Sequence, residues 1–490
     1  MASKKIRLLD ETLRNAQQSL WATRMRTESM LPIADVIDRA GFDAVCVNAG
    51  VTFETAAMYL HEDAWERMRL LRQQMPGTSF DVLIRARNLW GWKAQPYDVQ
   101  TLYLETLMRN GVDSFKLFDS LNDMRNMEHL IAEGRRLGFH VKGFVGFNES
   151  PAHTDEYLAG KAREFVDRGV HSLVLSDSPG VMQPERAHSA LSAIRGAIGD
   201  LDLHFHCHTT AGLGRAACRE AIRAGVDVIW TAARPLSWGS SLPGALDVVQ
   251  MAREEGCEVE MDEDALAEID DWFTWVAYKQ GRAIPEEKPF DPAFYQSYAG
   301  HQIPGGMISN LVQQLRDRGL EDRLPEVLEE AARVRAELGY PHMSTPYSQF
   351  VGVQAVMNVT QGERYASPPE ALRLYARGAF GNPIASIDPD VRDRLAGDGP
   401  MIDPLEGLDE PTLPKIRAEY GPFDSDEDLL LFLFLHPAAY EDFKRNRQPI
   451  ACRSRPHPAV CLAEDLMTRK SIRSAEIKMG TDLVLSLSND

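Results

Sequence analysis

The segment VQTLYLETLMRNG (99–111) runs directly into VDSFKLFD (112–119), and this junction sets the fold. The first piece spaces its apolar side chains three and four apart, as one helix face requires, and stops at a glycine suited to a left-handed cap. The second is a short strand-like run that ends on an aspartate, a residue favoured at strand-to-loop corners. The same order recurs: TESMLPIADVIDRAG (27–41) leads into FDAVCVNAG (42–50), and PAHTDEYLAGKAREFVDRG (151–169) into VHSLVLSD (170–177). Five further runs have the strand pattern: IRLLDETL (6–13), FDVLIRARN (80–88), HVKGFVGFN (140–148), LHFHCHTT (203–210) and VDVIWTAA (226–233). Eight strands alternating with helices over about 240 residues predict an α/β fold, a (β/α)8 TIM barrel. An open doubly wound sheet would carry a G-x-G-x-x-G turn after its first strand, and none follows LLDETL.

The texture changes near residue 285. MISNLVQQLRDRG (307–319), LPEVLEEAARVRAELG (324–339) and PEALRLYARGAFG (369–381) read as helices, with Pro-rich breaks between them. The expected division is a TIM-barrel domain at 1–285, a helical domain packed on it at 286–445, and a C-terminal tail at 446–490. In the tail, ACRSRPHPAV (451–460) reads as loop and KMGTDLVLSLS (478–488) as a short hairpin or edge strand.

Of 490 residues, 44% are hydrophobic and 26% charged, as in folded soluble domains. Lys and Arg number 53 against 72 Asp and Glu, a net charge of −19 that argues against a nucleic-acid partner. None of the six cysteines sits in a C-x-x-C pair, which suits reduced thiols and a cytoplasmic location. MASKKIRLLDETLR lacks the apolar run of a signal peptide, and no 18-residue apolar stretch predicts membrane insertion.

Barrel enzymes carry their chemistry at the C-terminal ends of the strands. Those positions hold Asp10, Arg14, Asn15 and Gln18; Asn48; Arg85 and Asn88; Asp119 and Asn122; Asn148; Ser176 and Asp177; His204, His206 and His208; and Ser237, Ser240 and Ser241. A ring of cations, amides and imidazoles suits a small anionic substrate. His204, His206 and His208 alternate along one strand and share a face. Two such imidazoles can hold one metal ion; the alternative is a polar barrel layer in which they only hydrogen-bond.

LLDETLRNAQQSLWATRMRT (8–27) closely resembles the opening of the carboxyltransferase domain of biotin-dependent enzymes: pyruvate carboxylase, the oxaloacetate decarboxylase alpha subunit and the transcarboxylase core subunit. The likeness continues in IRARNLWGW (84–92), FKLFDSLND (115–123), LHFHCHTTAGL (203–213) and RPLSWGSSLP (234–243), and past the barrel in HQIPGGMISNLVQQL (301–315), STPYSQFVGVQAVMNVTQGERY (344–365) and SDEDLLLFLFLHPAAYEDF (425–443). The resemblance implies transfer or removal of a carboxyl group on a small 2-oxo acid of the pyruvate or oxaloacetate type, through an enolate. It implies Arg85 and Gln18 as substrate-binding groups, Arg14 beside them, and Ser240 at the place of the hydroxyl that shuttles a proton to biotin. It also implies a divalent metal of the zinc, cobalt or manganese type on His206 and His208.

Two of the family's four metal ligands are replaced. Where the family has Arg-Asp, this chain has Arg14-Asn15; where it has a carbamylated lysine, this chain has Ser176. Both changes put a neutral group where an anion belongs, and divalent ions bind neutral oxygen donors more weakly. Lys478-Met479 resembles a biotin-attachment turn, but too few residues follow for the second half of a biotinyl domain. Biotin is therefore expected on a separate carrier protein, with biotin carboxylase-type or transcarboxylase subunits as partners and a homo-oligomer as the assembly. Two other readings are a biotin-independent carbon–carbon lyase or aldol-type enzyme on the same barrel, and a catalytically degenerate scaffold subunit.

Overall fold

The structure is a computed structural model, and it describes residues 4–89, 93–317, 319–344, 346–451, 455, 458–469, 472–479 and 483–488. Eight parallel strands close into a barrel in chain order: β1 (Arg7–Asp10), β2 (Ala44–Ala49), β3 (Phe80–Arg85), β4 (Ser114–Phe118), β5 (His140–Gly146), β6 (Ser172–Asp177), β7 (Asp202–Cys207) and β8 (Val228–Thr231). The ring closes where Leu8 and Leu9 of β1 pair with Ile229 and Trp230 of β8. Each strand falls inside one of the eight runs read from the sequence, or within a residue of it. Glycine explains several helix ends. Gly138 and Gly225 sit at φ 89° and 94°, a region open to glycine, and end the helices Glu128–Leu137 and Gly214–Ala224 just before β5 and β8.

The centre of the barrel is charged. Lys116 is fully buried and bonds Asp81 at 2.7 Å and also Glu11. Lys142 bonds the other Asp81 oxygen at 2.9 Å and Ser114 Oγ at 2.7 Å. Burial alone would neutralise Asp81, but Lys116 and Lys142 outweigh it and hold the carboxyl well below its usual range. Above this layer lie Trp230, with Lys116 Nζ 4.2 Å from its ring centre, and then Phe144 and Phe118.

The chain beyond the barrel has two allegiances. Ile303, Leu311, Val327, Val334, Val351, Leu372, Val391 and Leu395 form a second apolar core, which Leu121 from the loop after β4 joins. The helices Asp426–Phe434 and Pro437–Asn446 return to the barrel: Leu429, Leu430, Leu431, Tyr440 and Phe443 belong to the barrel's core, and Phe434 meets Tyr103 edge-on at 6.0 Å. In the tail, β9 (Ser474–Met479) and β10 (Leu483–Ser488) form the expected hairpin. Helix Pro458–Thr468 takes over the last three residues of the stretch read as loop and continues through residues to which the sequence reading gave no element; proline is tolerated in a helix's first turn, where Pro458 stands. Residues 90–92 of the LWGW segment lie outside the described residues.

Candidate active site

β1 delivers the first group of site residues through an unusual turn. Directly after Glu11 the chain makes a wide π-helical turn, Thr12–Ala16, followed by the short helix Gln17–Trp21. Asp10 anchors the turn by accepting from the Thr12 hydroxyl at 2.5 Å and the Thr12 amide at 3.1 Å. Arg14 and Asn15 are thereby held at the barrel mouth, 7% and 6% exposed. Arg14 lies 4.0 Å from Glu11, and its buried Nε has no hydrogen-bond partner. Gln18, in the next turn, keeps a buried Oε1 without a partner as well.

β6 and β7 supply the second group. Their register sets Ser176 beside His206. Ser176 Oγ contacts His206 Nδ1 at 2.7 Å, and Asn15 Nδ2 reaches His206 Nε2 at 2.9 Å and His208 Nε2 at 3.2 Å. His208 Nδ1 donates to the carbonyl of Ser240 at 2.7 Å. Burial pushes both imidazoles down, His206 well below its usual range and His208 to about 4, so both are neutral near pH 7. His204 lies deeper and accepts from Trp230 Nε1 at 3.2 Å, as a polar barrel layer would.

Arg85 closes β3 and Ser240 lies in the loop after β8. Burial lowers the Arg85 guanidinium somewhat; the Glu54 carboxylate supports its charge and Arg14 opposes it. Glu54 is thus the carboxylate that supports the charge of Arg85. Ser240 is exposed on the rim, and its hydroxyl donates to the carbonyl of Ser19 at 3.4 Å, next to Gln18. Arg14, Asn15, Gln18, Arg85, His206, His208 and Ser240 therefore share one end of the barrel.

The expected metal ligands do not converge. Asn15 sits on Nε2 of His206 and Ser176 on Nδ1, opposite sides of one ring, so no single point is within reach of all four residues. Both Nε2 lone pairs are already taken by the same amide nitrogen. No carboxylate or thiolate joins them: among the described residues the one cluster of ligand-type groups is Glu11, Cys46 and Asp81, and Lys116 already bonds both of its carboxylates. The residues present do not fit a divalent ion.

His342 is a site residue that the sequence did not reveal. It enters from the second core's side, packs edge-on against Phe118 at 5.4 Å, and is 3% exposed with neither ring nitrogen hydrogen-bonded. Gly146 makes the room: a Cβ there would lie 2.9 Å from the His342 ring. The charged layer of Glu11, Asp81, Lys116 and Lys142 was missed too, although it braces Arg14 from below.

Comparison with known proteins agrees with this architecture. The family model described as a conserved carboxylase domain matches residues 299–482, and an HMGL-like model matches residues 116–234. A pyruvate carboxylase subunit of Methanothermobacter thermautotrophicus is 39% identical, over 90% of this chain and 78% of that protein. The chain belongs to the family of biotin-dependent carboxyltransferases. Within that family, the methylmalonyl-CoA carboxyltransferase 5S subunit of Propionibacterium freudenreichii is 34% identical over 88% of this chain and 85% of its own length. The 2-oxoglutarate carboxylase large subunit of Hydrogenobacter thermophilus is 32% identical over 90% and 68%. The carboxyl transferase domain of Rhizobium etli pyruvate carboxylase, solved with pyruvate and biocytin, superposes with a TM-score of 0.82 at 27% identity, covering 92% of this chain and 79% of that one. Among the described residues no helix is long and apolar enough to cross a membrane.

Proposed function

We propose that this chain moves a carboxyl group between N1 of a biotin carried on another polypeptide and the carbon beside the keto group of a small 2-oxo acid. The observation that carries this reading is the convergence of Arg14, Arg85, Gln18 and Ser240 at one barrel mouth, over two neutral imidazoles. Arg85 binds the substrate carboxylate, for which a guanidinium offers two parallel hydrogen bonds. Arg14, with an unsatisfied Nε, and Gln18 face the keto oxygen, where negative charge grows as the enolate forms. In the carboxylating direction the N1–carboxyl bond breaks, the enolate carbon bonds the released carbon dioxide, and the Ser240 hydroxyl carries the substrate's proton to N1. Ser240 is on the exposed rim, where a biotin arriving from outside can reach it.

The relatives' names supply the candidate acids, pyruvate and 2-oxoglutarate. The chain would work with a biotin carrier protein and a biotin carboxylase-type or transcarboxylase partner, in a homo-oligomer. The HMGL-like match favours one second reading, a biotin-independent lyase. Decarboxylation of oxaloacetate, followed through pyruvate formed with and without added biotin or biotinylated carrier, separates the two. Turnover that needs biotin supports carboxyl transfer; equal turnover without it replaces the proposal with the lyase.

A further inference from the structure

The hydrogen bonds around His206 and His208 admit one arrangement of protons. The Ser240 carbonyl can only accept, so His208 carries its proton on Nδ1 and a lone pair on Nε2. Turned to present its oxygen, the Asn15 amide would set that oxygen against the His208 lone pair; it therefore presents its nitrogen and donates one N–H to each Nε2. His206 in turn carries its proton on Nδ1 and donates to Ser176 Oγ, which passes its own hydrogen to Ser178 Oγ at 3.0 Å. The donors of Ser176, His206, Asn15 and His208 each find an acceptor, in a chain that runs from Ser178 Oγ to the Ser240 carbonyl. The two rings stand at 86° with centroids 5.1 Å apart, and both lone pairs point at one small group.

We infer that the Asn15 amide stands in the place of an ion: its two N–H bonds do structurally what a divalent metal would do, and they exclude that metal from the site. The group is neutral, as are its imidazole and hydroxyl partners, so the buried cluster needs no counter-charge. An ion at the two Nε2 atoms would have to displace the amide and bind two neutral nitrogens with no anionic ligand. The charge that grows on the keto oxygen then falls to Arg14, with Gln18 beside it. That catalytic consequence rests on the carboxyltransferase reading; the exclusion of metal does not.

The test is ion binding, read apart from turnover. The purified full-length chain is titrated with Zn²⁺ and, by visible absorption, with Co²⁺, beside Asn15→Asp and His206→Gln. Asn15→Asp sets a carboxylate against two lone pairs, a two-histidine, one-carboxylate triad. The wild type is expected to hold less than ~0.1 equivalent, and Asn15→Asp to gain at least ~100-fold in affinity. A stoichiometric ion in the wild type that is lost in His206→Gln overturns the inference, as does the absence of any gain in a folded Asn15→Asp. Should that variant not fold, ¹⁵N spectra of the histidine-labelled wild type decide. Unprotonated Nε2 on both His206 and His208 upholds the bridge, and a protonated Nε2 on either ends it. Neither measurement depends on which acid, if any, is carboxylated.

Discussion

Lys116→Met gives the sharpest test of how the barrel centre supports the mouth. Lys116 is 0% exposed and shares its charge between Glu11 and Asp81. Without it Asp81 keeps Lys142 at 2.9 Å and Ser114 at 2.7 Å, while the next cation near Glu11 is Arg14 at 4.0 Å. One carboxylate of the pair must then be neutralised by a proton. For a carboxyl group that starts in its ordinary range near 4, holding a proton costs about 4 kcal/mol at pH 7 and about 1.4 kcal/mol at pH 5. The pH 7 value agrees with the ~3–5 kcal/mol expected for breaking a buried pair. The sign follows: a folded-state carboxyl raised above its unfolded value costs less as pH falls. In the wild type, Asp81 is held low, so its contribution is complete above about pH 4 and constant between pH 5 and 7. The defect of Lys116→Met relative to wild type should therefore shrink by about 2.5 kcal/mol from pH 7 to pH 5. Urea unfolding of both proteins at the two pH values, followed by tryptophan fluorescence, measures it. A destabilisation that is the same at both pH values, or below about 1 kcal/mol at pH 7, would refute the reasoning.

Other expectations concern the mouth. Arg85→Gln should lower kcat/KM for the 2-oxo acid by about 100-fold with Arg85→Lys intermediate, since one ammonium cannot replace a two-point grip; equal effects in the two variants would argue against carboxylate binding. Ser240→Ala should cut carboxyl transfer by about 100-fold or more while leaving KM for the acid nearly unchanged, and Ser240→Thr should retain activity; a loss confined to KM would remove the shuttle role. His208→Gln should lower the height of the pH–rate profile but not its shape between pH 5 and 8, because burial holds His208 near 4 and the neutral form dominates above that; loss of an acid limb near 6.5 would show that the ring titrates in the working range. His342→Leu should leave the melting temperature unchanged or raised while kcat/KM falls by about 10-fold, since a buried ring without hydrogen bonds costs stability that only function offsets; a fall in melting temperature at unchanged kcat/KM would make the ring structural.

The strands were legible because a parallel barrel strand between helices is a short apolar run that often ends in a turn residue, and several of the eight runs carried that mark. The rim residues were legible by the same logic, since a strand's last residues point to the mouth. The central charges were not. Asp81 in FDVLIR, Lys116 in FKLF and Lys142 in HVKGF look like solvent-facing positions of half-buried strands. In a barrel both faces are covered, and only the closed ring shows that three such positions meet. His342 left no local signal, because it reaches the mouth from a separate core more than a hundred residues beyond β8. The resemblance singled out Asn15 and Ser176, but their places on opposite nitrogens of His206 needed coordinates. The tail's helix and the return of residues 426–446 to the barrel were hidden for a related reason: an amphipathic pattern states that a face is buried, not against which core.

That return has a topological consequence. The chain leaves the barrel core after Tyr298, builds the second core from residues 303–395, and packs on the barrel again from Leu413 onward, most deeply after Asp426. In connectivity the helical lobe is an excursion pinned at both ends, so the barrel is assembled from two separate stretches of polypeptide. A scission within the lobe would leave the two barrel-packing stretches in contact as fragments of one folding unit, whereas a truncation before residue 426 would strip Leu429, Leu430 and Phe443 from the barrel's flank.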